Sequence, residues 1–162
     1  MGRTFLLAAL LLAAFTVPAA LSADTPSDGT LSVKRGRGAV VLKLNGTVIG
    51  RLANGKVQVR DFRPFDTNVP LFTGCKVRHP AYNLTVCGPG RNIGYRVLDG
   101  RFNTNVRGSG ISISAVGRGT VMVDGNGEDG LPDGVMSIDS QPYESLPDAT
   151  TTFPLGPPPA VG

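Results

Sequence analysis

Tryptophan is missing from this chain, histidine occurs once, and cysteine occurs only twice among 162 residues. Each shortage closes off a chemistry. Without tryptophan there is no indole to stack on a sugar ring in a hydrolytic cleft. The single histidine, His79, stands in no recognised nucleophile–base motif. Together with Cys75 and Cys87 it lacks a fourth ligand and a zinc-site spacing. Charge of either sign is also sparse: 16 Lys and Arg face 12 Asp and Glu, a formal net charge of +4. The densest basic stretch is Lys34-Arg35-Gly36-Arg37, which reads as a solvated turn, so nucleic acid is not expected as a partner. Long apolar runs are absent too, apart from one at the N-terminus, so no membrane-spanning segment is expected in the rest of the chain.

That one run has the form of an export signal. Arg3 supplies a positive end, Phe5 to Phe15 is uninterrupted and apolar, and Pro18 precedes the small residues Ala19, Ala20, Ser22 and Ala23. The reading is a signal peptide over 1–23, removed after Ser22 or Ala23, and a secreted or extracytoplasmic product. What remains is long enough for one domain with a core of its own. Loss of Arg3, the leader's only charged side chain, lowers the formal charge of +4 by one. In an oxidising compartment Cys75 and Cys87, close together in the chain, are expected to form one disulfide.

The exported part carries most of the 22 glycines and 13 prolines. From Thr30 onward, every second residue is apolar in short runs cut by Gly or Asn-Gly. Val40, Leu42 and Leu44 precede Asn45-Gly46; Val48 to Leu52 precedes Asn54-Gly55; Val57 and Val59 follow. Period-two alternation marks strands with one wet face, and Asn-Gly favours a tight type I′ hairpin. The block also recurs. The shift that places Gly46 on Gly110 also places Gly55 on Gly119, Val57 on Val121 and Val59 on Val123. The fold expected is therefore all-β: an antiparallel meander in which a four-stranded unit (about 29–60 and 93–124) is internally duplicated to form a small barrel or a sandwich. The domain spans 24–145, and the Pro- and Thr-rich stretch 146–162 reads as a flexible tail.

Between the repeats, residues 61–92 keep no period and hold both cysteines. A connection this long is a functional loop or a lid. Its side chains Phe62, Arg63, Phe65, Phe72, Arg78, His79 and Tyr82 form the candidate binding loop. No cofactor is expected. Asp124, Asn126 and Glu128 make a weak calcium candidate, because they alternate on a Gly-rich loop but miss the EF-hand spacing. Asp61, Asp66 and Asp99 are available for hydrolysis, yet nothing in their spacing pairs them.

The segments Gly36-Arg-Gly-Ala-Val-Val, Val48-Ile-Gly-Arg-Leu and Gly108-Ser-Gly-Ile-Ser-Ile-Ser-Ala-Val-Gly-Arg-Gly-Thr-Val resemble those of small secreted all-β proteins of actinobacteria to which no activity is assigned. The resemblance covers about residues 30–145. It implies a bacterial extracellular setting and transfers no active site. The functional expectation is a non-enzymatic extracellular binding or structural module, with a cell-envelope polymer or an extracellular protein as partner. A small carboxylate hydrolase and a self-associating surface protein are the competing readings.

Overall fold

Alternation of apolar and polar side chains runs on far past the length of an ordinary strand. The computed structural model, which describes residues 27–64, 68–127 and 133–157, turns it into two very long strands. These are β1 (Gly29–Asp61) and β4 (Leu84–Gly125). The short strands β2 (Leu71–Thr73), β3 (Val77–Ala81), β5 (Val135–Ile138), β6 (Glu144–Ser145) and β7 (Thr151–Leu155) complete one antiparallel sheet of seven strands. The chain is all-β, with no helix among the described residues. The leader at 1–23 lies outside the described residues.

The register explains how two strands make a core. Val40 lies opposite both Val106 and Val123, while Val57 lies opposite both Cys87 and Val106. Val40 and Val57 therefore flank Val106 on its two sides, each antiparallel to it, and so they point the same way. A strand can return beside itself in the same direction only after a full turn. β1 makes that turn between Val40 and Val57, and β4 makes its own between Val106 and Val123. The two strands thus wind together as an antiparallel coil. Inward side chains from both, among them Leu31, Leu42, Leu52, Val59, Val97, Ile111 and Val121, meet in a single buried cluster. Each such side chain stabilises the fold by about 1.5–3 kcal/mol relative to exposure.

Glycines mark the bends. Gly38 pairs with Gly108 and Gly125, and Gly55 pairs with Gly90 and Gly108, so these glycines form a file across the strands. Gly46 pairs with Gly100 and Gly117 in a second file. At Gly55 and Gly108 the backbone takes φ of 141° and 150°. An added Cβ at either would overlap a carbonyl oxygen of the facing strand, Arg107 or Asn54.

This arrangement departs from the expected hairpins. No β1 residue pairs with another β1 residue; the partners of β1 are β4 and β5. A type I′ turn at Asn45-Gly46 needs positive φ at both residues, and of that pair only Gly46 has it. Asn-Gly here bends one strand instead of joining two. Gly38, Gly46 and Gly55 of β1 have the same spacing along the chain as Gly100, Gly108 and Gly117 of β4. The offset between the two sets is slightly shorter than the one that sets Gly46 on Gly110.

Two further expectations are corrected. The stretch 61–92 is not wholly a loop: it contains β2, β3 and the start of β4, joined by the Cys75–Cys87 disulfide with a Cα–Cα distance of 5.6 Å. The part of 146–162 that is described is not a flexible tail. Leu146 and Leu155 are buried, and β7 pairs along β4 with Phe153 opposite Val121. Thr151, Thr152 and Phe153 suit an edge strand, where Pro154 is tolerated.

Candidate functional site

The residues proposed as a binding loop are separated by their surroundings. Phe72 lies opposite Tyr95 and packs against the core, so it is structural. Phe65 and the neighbouring Asp66 lie outside the described residues. Arg78 and His79 stand on the exposed strand β3. The Arg78 guanidinium donates to the Gly88 carbonyl oxygen at 3.0 Å, and His79 Nδ1 lies 3.2 Å from the Thr85 hydroxyl.

Phe62 and Tyr82 are brought to one end of the fold. The Asp61 backbone N–H donates to the Asn83 carbonyl oxygen at 2.9 Å, and the Phe62 N–H donates to that of Arg101 at 3.1 Å. The Asp61 carboxylate accepts the Arg63 N–H at 2.6 Å, which fixes the turn after β1. Both aromatics stay in solvent: Phe62 is 51% exposed and Tyr82 is 81% exposed. The Arg101 guanidinium sits 5.6 Å from the centre of the Phe62 ring. Arg63, next in the chain, is exposed as well.

The carboxylate loop is used locally. Asp124 accepts the Thr150 hydroxyl at 2.8 Å, and Asp133 accepts the Gly127 N–H at 2.9 Å. Glu128 lies outside the described residues. Among the described residues, no group of three or more His, Cys, Asp or Glu is placed to hold a metal ion.

Two tyrosines have displaced acidities. Burial pushes the Tyr95 phenol far above its ordinary value, and its hydroxyl has no hydrogen-bond partner. The exposed Tyr143 phenol is lowered by hydrogen bonding to Lys34 and then Ser32, with the Lys34 ammonium 4.0 Å from its ring centre.

A further set of side chains escaped the sequence reading. Outward positions of β1 and β4 in one half of the coil carry Lys43, Lys56, Arg60, Arg101, Arg107 and Arg118, all exposed. Lys43 and Arg60 flank Asn103, Arg101 and Arg118 flank Asn45, and Lys56 lies opposite Arg107. Beside Phe62 the same face holds a groove of about 440 Å³ lined by Lys43, Asn45, Arg101 and Arg118. In sequence these cations are dispersed; only the winding of the two strands gathers them. Compared with known family models, curated proteins and solved structures, the chain matches none.

Proposed function

We propose that the protein is a non-enzymatic extracellular binding module, exported through the leader at 1–23 in a bacterial setting and built from a duplicated β unit. The observation that carries the reading is the pair of exposed aromatics, Phe62 and Tyr82, held at one end of a rigid scaffold. Their backbones are bonded to Arg101 and, through Asp61 and Asn83, to each other's segments, while the Cys75–Cys87 bridge fastens the adjoining strand. Large apolar side chains kept in solvent at fixed positions are what a recognition surface requires. The disulfide agrees with an oxidising location. The glycine files at matching places in β1 and β4 support the duplication.

The partner proposed is a cell-envelope polymer. Asp61, one of the three carboxylates available to a hydrolase, is buried and committed to the Arg63 turn. Pro80 on β3 and Pro154 on β7 withhold donors at two sheet edges, which opposes growth by strand addition. Co-sedimentation with purified bacterial cell walls tests the proposal. The protein is expected to sediment with the walls, and the Phe62→Ala/Tyr82→Ala variant, with unchanged thermal unfolding, is expected to lose most of that retention. Absence of wall retention by the unmodified protein, with and without reductant, overturns the binding reading.

A further inference from the structure

Net charge understates this protein. The outward positions of β1 and β4 over 39–45, 56–60, 101–107 and 118–124 carry the six cations named above, with Asp124 as their one carboxylate, at a margin and engaged by Thr150. Adjacent strands lie about 4.8 Å apart, so Lys43 and Arg60, and likewise Arg101 and Arg118, are held about 10 Å apart across an intervening amide side chain. Such a grid does not neutralise itself. Arg118 has an ion pair with Asp28 at 3.1 Å, both side chains about half exposed, so that contact is open to exchange with an incoming anion.

We infer that this face, with the groove beside Phe62, binds an acidic polysaccharide, the anionic groups lying on the Lys/Arg grid and the hydroxyls on the amides between. The inference rests on the binding-module reading and names the chemistry of its polymer. Charge complementarity selects a polyanion. The spaces between cations hold Asn45, Gln58, Asn103, Asn105 and Thr120, which donate to and accept from hydroxyls, with Val41 and Met122 as an apolar pair among them. A single-stranded nucleic acid wants a succession of aromatic platforms for its bases, and among the described residues the face offers only Phe62, at its edge and already against Arg101. The opposite half of the coil is different. There the cations Lys34, Arg35, Arg51, Arg91 and Arg96 stand among Ser32, Ser112 and Ser114 and the exposed apolar side chains Ile49, Leu98 and Val116.

That contrast supplies the experiment. Affinities of the protein are measured for heparin, polygalacturonate, uncharged dextran and oligo(dT) at two salt concentrations. One variant is Lys43→Gln/Arg60→Gln/Arg107→Gln, which leaves the Phe62 contacts intact. The other is Lys34→Gln/Arg51→Gln/Arg96→Gln, which removes equal charge from the opposite side. The expected result is binding to heparin, to polygalacturonate or to both, weakened by salt through counterion release, and little affinity for dextran. The first variant loses about tenfold or more while the second changes less than about twofold. Heparin alone marks sulfate as the anionic group, polygalacturonate alone marks carboxylate, and either supports the inference. Equal losses in the two variants, tighter binding of oligo(dT) than of either acidic polysaccharide, or no binding at the lower salt overturns it. Wall retention that survives the first variant removes this inference while leaving the module reading in place; absence of wall retention in the unmodified protein removes the module reading itself.

Discussion

At the scale of single residues, Tyr95 is the most informative side chain. It lies 3% exposed in the core opposite Gly50, and the space it fills is the reason position 50 has no side chain: a Cβ there would overlap the phenol ring. The ring packs well but its hydroxyl is buried without a partner. An unsatisfied buried hydroxyl costs about 1–3 kcal/mol. Tyr95→Phe keeps the ring and removes that cost, so the variant is expected to be more stable by about 1 kcal/mol, read from the urea midpoint. The difference should also depend on pH. Burial raises the phenol's folded-state pKa, so the folded state holds the proton. The unfolded state releases it above about pH 10. The stability that Tyr95 retains as a neutral group is therefore fully present below about pH 10 and declines above it. The gap between wild type and Tyr95→Phe should widen from pH 8 to pH 11. A gap that stays constant would contradict the burial argument. None of this was legible in the sequence, where Tyr95 is one apolar position in an alternating run.

At the scale of elements, alternation was readable and connectivity was not. Period two fixes which residues point inward: Val40, Leu42, Leu44, Val57 and Val59 are all buried, as their spacing implies. It does not say which strand lies alongside. Asn45-Gly46 is a strong local signal for a hairpin, yet the second partner strand supplied by β4 outcompetes it, because a coil satisfies both edges of β1. The tail shows the converse error. Pro157-Pro158-Pro159 colours the whole stretch as unstructured, while Leu146 and Leu155 a few residues earlier are core residues. Leu155, 2% exposed, anchors β7 beside Gly119. Leu155→Ala is expected to cost about 2–5 kcal/mol, the range for emptying a leucine site in a packed core. A flexible tail would make the same substitution nearly neutral, so thermal unfolding of this one variant separates the two. The candidate site divides along the same line. The Cys75–Cys87 bridge was legible from compartment and spacing, whereas the separation of Phe72 from Phe62 and Tyr82 depends on β2 lying against β4.

At the scale of the whole molecule, the consequence of the coil is that neither long strand has a partner within itself. From Gly38 onward β1 is bonded to β4 along both of its sides, its first residues lie between β4 and β5, and every such contact spans a wide stretch of sequence. In a meander of duplicated units, residues 24–64 would close their own hairpins and keep part of their structure alone. In the coil they have nothing to pair with, and an isolated strand with one apolar face is not stable in water. The fragment 24–64 is therefore expected to show no sheet signal by far-UV circular dichroism, while 65–162, whose long strand β4 loses its principal partner but keeps β2, β3 and β7 beside it, is expected to show less sheet than the intact chain. Mixing the two should restore the sheet, since the inward faces are complementary and neither is satisfied elsewhere. Restoration should be slow, as it must be wherever loop closure precedes the contacts that reward it. Independent structure in 24–64 would refute the wound topology. It would also disperse the cations that the winding sets side by side, because Lys43 and Arg60 reach one face solely by β1 passing once around the core.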